Sequence, residues 1–389
     1  MSSYLKIFFS LLRLVSFPVL NFLTLLLGIH FYGKENWGEF INLSIWIYFI
    51  AFIAKWSGQN FMIKTFSQKP SNLYAVFYSN CIERSVFLLL FMFMFFAFPF
   101  KLCVASFFLL ITIFVYNSFD SLIVYHQKFK TQLFAEIIGL SFIYLSFLFY
   151  DFYNLETIIY LFCISFLIRI LIVTIRFKLP TRNIKLKISL QNIITSFPYF
   201  LIGFSGWLAS KIDIYIISFY FSKKELSEYQ LLIACFIMLQ AIPAYIILPI
   251  NKHLFRMTLT TTKKIKRNLI LSAFPIVFLF TVLIWIFLEQ FMHQEFSLPM
   301  YFFVALSTIP SFIYSIDIVQ LFRMNKEKAI MKFSFIAVVV NIILMILMIP
   351  TMGLLGVIVT ICISQWLYLL LISNAYRKVQ PLKLEHVLN

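Results

Sequence analysis

Among the ionisable side chains inside segments that otherwise suit hydrocarbon, six stand out: Lys55, Arg169 and Lys211, and Asp120, Asp213 and Asp317. A charge at mid-bilayer costs about 2.5–3.5 kcal/mol on insertion scales, so each must face protein or water. Cations at that depth can hold an anionic head group. Carboxylates there can carry a coupling proton or cation, or neutralise a basic residue on a neighbouring helix. Lys55 shares a helical face with Ala51, Gly58, Gln59 and Met62, and lies about nine residues, or about 13 Å, from the inner end of its span. It suits either a cavity or an ion pair. Arg169 stands one turn after Ser165 and has a shorter route to the interface.

Lys211 falls one turn from Trp207 and one turn from Tyr215. An aromatic-flanked cation belongs either to an interfacial belt or to a sugar-and-phosphate contact. Its depth in the span favours the contact. Asp213, two residues on, points about 200° away from Lys211, so the two cannot pair on one face. It shares its own face with Gly203, Gly206 and Ser210, a small-residue stripe suited to helix packing. The substrate-binding candidates are therefore Lys55, Arg169, Lys211, Trp207 and Tyr215. Asp120, Asp213 and Asp317 are candidates for ion coupling or intramembrane pairing.

The elements that must position them are membrane helices. Hydrophobic residues make up 62% of the 389 and charged residues 12%, against about 25% charged in a soluble domain. The apolar material comes in blocks of about twenty residues, each long enough to cross a roughly 30 Å core as a helix. Twelve spans are expected, near 12–32, 40–63, 77–100, 102–125, 133–150 and 157–177, then 191–221, 228–250, 269–289, 298–322, 331–350 and 354–375. The ten-residue alternation of a transmembrane barrel is absent. The fold class is an all-α polytopic membrane protein.

Two six-helix lobes related by a pseudo-two-fold axis are expected, at 1–179 and 191–376. A basic linker (180–190) separates them and a tail (377–389) follows. Two echoes support a repeat: "VSFP" at 15–18 with "TSFP" at 195–198, and "VYNSFDSLIVYHQKFK" with "IYSIDIVQLFRMNKEK". Twenty-five of the 32 basic residues fall on the side that holds both termini, which places the termini in the cytoplasm. The net charge of +17 is thus topology and carries no nucleic-acid signal. The five cysteines are scattered through different spans with no CxxC or Cys/His cluster, so neither a metal site nor a cofactor is expected.

Three stretches resemble the bacterial polysaccharide and O-antigen flippases of the multidrug/oligosaccharidyl-lipid/polysaccharide exporter superfamily. "LLGIHFYGKENWGEFINLSIWIYFIAF" (26–52) is similar to their first hairpin, and "KIDIYIISFYFSKKELSEYQLLIACFIML" (211–239) to their seventh and eighth spans. "NIILMILMIPTMGLLGVIVTICIS" (341–364) resembles their eleventh hairpin. Read from the residues alone, Pro350 ends a helix, Gly353 makes the turn and Gly356 lets the returning helix close in.

The resemblance implies a transporter, not an enzyme. It would move an undecaprenyl-diphosphate-linked oligosaccharide across the inner (cytoplasmic) membrane by alternating access, as a monomer beside polysaccharide assembly proteins. A cation-coupled multidrug antiporter is the alternative, though it calls for an interior dominated by acids. A membrane polymerase or glycosyltransferase needs a long outer loop that these short connections leave no room for.

Overall fold

The computed structural model describes residues 3–56, 58–68, 70–149, 154–177, 186, 188–254, 259–324 and 326–388. Most of the basic linker at 180–190 lies outside them. Every described element is helical. That follows from the solvent: in hydrocarbon a backbone group has no water to bond, and a helix satisfies its own.

The elements run α1 (Ser3–Tyr32), α2 (Lys34–Ala54), α3 (Gly58–Gln68), α4 (Leu73–Ser85), a 3-10 segment (Val86–Phe96), α5 (Phe100–Ser118), α6 (Asp120–Tyr125), α7 (Phe129–Phe149) and α8 (Leu155–Phe177). They continue with α9 (Leu190–Tyr220), α10 (Lys223–Leu254), α11 (Leu259–Ile286), a π-helical turn (Phe287–Phe291), α12 (Leu298–Arg323) and α13 (Glu327–Leu388). Ten stretches are long and apolar enough to cross a membrane, and Ser16–Tyr32 is a shorter apolar helix. One of the ten, Glu327–Lys378, is broken at Gly353, where the backbone leaves the helical region (φ 57°, ψ −138°). Counted as two arms, it gives the twelve crossings that the hydropathy blocks imply.

The chain divides into two compact units. The first holds 1–204 with 222–227, and the second holds 205–221 with 228–389. In the first, α8 packs on α5 and α7, α7 packs on α1, and α2 lies against α5 and α8. Trp37, Ile41, Leu43, Ile47 and Ala54 are buried along α2, which is enclosed on more than one face. In the second, α12 packs on both α11 and α13. The outward faces carry large apolar side chains, with Phe96 88% exposed and Phe278 73%. A water-facing surface would not tolerate so many, whereas acyl chains do.

One expected continuous helix is interrupted and another is tightened at a single turn. The span at 40–63 breaks after Ala54, and α3 starts afresh at Gly58. The span at 102–125 carries one tightened turn at Phe119, whose backbone stays in the right-handed helical region (φ −68°, ψ −17°), so Phe100–Tyr125 remains one apolar span. In the short turn after α6, Lys128 donates to the Arg176 carbonyl at 3.1 Å and sits 4.0 Å above the Phe177 ring. It thereby caps the end of α8, where a cation is favoured. Burial, and after it the charge of Arg176, hold the Lys128 ammonium below its ordinary value.

Candidate functional site

The broken end of α2 is the centre of the first unit's polar chemistry. A helix that stops leaves its last carbonyls without partners. Here Arg84, on α4 and 5% exposed, answers that need by donating to the Lys55 carbonyl at 3.1 Å. It also donates to Ser118 Oγ at 3.2 Å, at the end of α5. The guanidinium therefore ties the end of α2 to the end of α5, each the negative end of a helix dipole. Lys55 Nζ lies 2.6 Å from Asp120 Oδ2, and Gln132 Nε2 donates to Asp120 Oδ1 at 3.1 Å. The Lys55 and Asp120 side chains remain 32% and 16% exposed. The pair is thus partly open.

The break changes two details of the sequence reading. Lys55 does not share one continuous helical face with Gly58, Gln59 and Met62. It also lies about 31 Å of helical rise from Lys34, at the C-terminal end of α2 rather than inside an unbroken 40–63 helix.

Next to Lys55, the indole of Trp56 stacks between Phe87 (4.5 Å, 17°) and Phe200 (4.2 Å, 15°) and donates to the Ile193 carbonyl at 3.0 Å. Glu83 Oε1 accepts from the Ser189 amide and from Asn192 Nδ2, both at 2.8 Å. The start of α9 is therefore anchored beside the α2 break.

Arg169 is placed differently. It is 4% exposed, so it presents no surface to a ligand in this conformation. Its Nη2 donates to Ser165 Oγ at 3.0 Å, and its guanidinium lies 4.5 Å from the Phe166 ring centre. Gly139 makes room for it, since a Cβ there would come within 2.5 Å of Arg169 Nε. Tyr116 donates to Glu136 Oε1 at 3.0 Å in the same core.

In the second unit, Lys211 is half-buried and makes no ion pair among the described residues. Trp207 and Tyr215 come together on its helix, with ring centres 5.5 Å apart. Asp213 is buried and accepts the hydroxyl of Tyr229 from α10. Its small-residue face is otherwise open: Ser210 is exposed, and a Cβ on Gly206 would meet nothing within 4 Å. Asp317 is fully buried. Lys266 Nζ reaches both its oxygens, at 2.7 and 2.6 Å, and Ser373 Oγ donates at 3.2 Å.

With these groups placed, the fold can be compared. The chain superposes on the lipid II flippase MurJ in an inward closed conformation, with a TM-score of 0.71. The likeness covers 95% of this chain and 87% of that one, at 16% sequence identity. The fold is MurJ-like. No protein-family model matches the sequence, and no curated protein does.

On this fold, four charged residues carry the polar contacts that hydropathy reading missed: Arg84, Glu83, Glu136 and Lys266. Arg84, Glu83 and Glu136 sit within or at the edge of expected spans, so they carried the same signal as Lys55 and Arg169. Lys266 was hidden for another reason. It belongs to the basic stretch before the apolar block at 269, yet α11 starts ten residues earlier, at Leu259.

Proposed function

We propose that this protein translocates a lipid-linked oligosaccharide, carried on undecaprenyl diphosphate, from the cytoplasmic to the outer leaflet of the inner membrane by alternating access. The observation that carries this reading is the likeness to a lipid II flippase over 95% of the chain. The charges inside it suit such a cargo. A diphosphate cannot enter a low-dielectric slot without compensating cations, and Lys55 and Lys211 are partly accessible ammonium groups on membrane helices. Arg169, enclosed in the first unit, serves packing instead.

The pairing of Asp120 with Lys55 gives that lysine a partner while no substrate is bound. An arriving diphosphate, carrying more charge, competes with the carboxylate for it. Trp207 and Tyr215 offer ring faces on which sugar C–H groups can rest beside Lys211. An inside-negative potential favours outward movement of negative charge by about 2.3 kcal/mol per charge per 100 mV, so the gradient itself can set direction.

The experiment is a deletion strain in which the leaflet position of lipid-linked repeat units is measured. Accumulation in the cytoplasmic leaflet, reversed by the wild-type chain, is expected. An unchanged distribution together with normal surface glycan would refute the reading.

A further inference from the structure

The first unit holds a second polar place, at the start of the helices whose later turns lead to Lys55, Asp120 and Arg169. A crevice of about 490 Å³ opens at the end where the chain turns from α1 to α2, from the 3-10 segment to α5, and from α7 to α8. Three helix N-termini meet there. Asn36 and Glu39 come from the start of α2, Lys101 from the start of α5, and Asn154 and Glu156 from the start of α8. Neither α2 nor α5 has a side-chain cap, so their first-turn N–H groups lack intrahelical partners.

Tyr32 also lines the crevice. It is 8% exposed, and its hydroxyl has no hydrogen-bond partner. Its ring packs on Trp37 (6.3 Å, 29°) and Phe147 (5.3 Å, 74°), and the hydroxyl itself is closed to water. A buried phenol left unpaired costs about 1–3 kcal/mol, and such groups in folded proteins call for an explanation.

We propose that this crevice binds a saccharide. Two carboxylates supply acceptors, while an ammonium, two carboxamides and the free amides supply donors. Sugar hydroxyls, each both donor and acceptor, match that mixture. Phe100, Leu102 and Ile158 add an apolar wall for the C–H face of a pyranose. The volume falls within the range of small-molecule clefts, about 300–1,000 Å³.

Other ligands fit less well. Two glutamates against one lysine repel a phosphate. A metal ion is disfavoured because no group of three His, Cys, Asp or Glu gathers among the described residues. The inference rests on the flippase reading for its purpose: this end of the unit is the one we assign to the outside, where a translocated head group emerges. A sugar held here leaves the cations free to reset.

The test uses the purified full chain in nanodiscs and ligand-observed saturation-transfer NMR. The probes are methyl glycosides of N-acetylglucosamine, galactose and mannose, with pyrophosphate and magnesium as competitors. At least one glycoside should bind in the millimolar range and resist both competitors. Glu156→Gln, Asn154→Ala and Lys101→Ala, at accessible positions, should each weaken it several-fold. The proposal is overturned if no glycoside saturates, if binding survives all three substitutions, or if pyrophosphate or magnesium displaces the sugar. Failure here with cytoplasmic-leaflet accumulation in the deletion strain removes the crevice assignment alone. Glycoside binding without that accumulation removes the flippase reading alone.

Discussion

Two lysine–aspartate pairs in this protein share a 2.6 Å separation but differ in surroundings. Asp317 is 0% exposed, so removing its cation leaves a buried charge unpaired. Lys266→Met should therefore destabilise the fold strongly, on the order of 3–5 kcal/mol, and adding Asp317→Leu should restore most of that loss. Lys55→Met, at a partly open pair, should cost only about 1 kcal/mol. Folded protein remaining after a temperature ramp in detergent measures all three. Equal losses at Lys55 and Lys266 would show that burial does not separate a structural pair from an available one. The sequence makes plain that an aspartate inside an apolar block needs a partner, because the cost of burial is general. It does not say which partner, because Lys266 is 51 residues from Asp317 and reads as part of a loop. For Asp213 the small-residue stripe suggested association through glycine, whereas Tyr229, 16 residues on, makes the bond.

Among elements, the turn at Gly353 was legible and the break at Lys55 was not. Pro350, Gly353 and Gly356 spell a reversal in local terms, and the structure uses the two glycines as expected. Gly353 takes a positive φ that L side chains rarely adopt, and a Cβ on Gly356 would come within 2.7 Å of the Met348 carbonyl. Gly353→Ala should cost about 1–3 kcal/mol in backbone strain, seen as faster heat inactivation in detergent, while Gly33→Ala makes a useful comparison at an open positive-φ turn. An alanine at 353 without any loss would mean that the turn relaxes freely. The α2 break has no such local signature. No proline precedes it, and it is held from a distance, by Arg84 on the Lys55 carbonyl and by aromatic stacking on Trp56. In the second repeat echo the aspartates match in contact, each held by a lysine at 2.6 Å, while the tyrosines differ. Tyr116 bonds Glu136, whereas the matching Tyr314 lies 3.4 Å from Gln365.

At the scale of the molecule, hydropathy blocks sufficed for an all-helical, twelve-crossing chain because the bilayer leaves so few alternatives. Which way it faces rests on the distribution of lysine and arginine. Reporters fused after Arg267 and after Glu295 should read as cytoplasmic and external, and two fusions on one side would overturn that orientation. The proposed transport belongs to the whole chain and is best measured on it alone. Proteoliposomes containing a fluorescent undecaprenyl-diphosphate oligosaccharide allow leaflet exchange to be followed with a membrane-impermeant quencher. The wild-type chain should accelerate exchange over protein-free liposomes, faster with an inside-negative potential on the side of entry. Lys55→Ala and Lys211→Ala should each slow it by about tenfold, equivalent to about 1.4 kcal/mol on the barrier, at unchanged protein content. Exchange no faster than in protein-free liposomes would contradict the account.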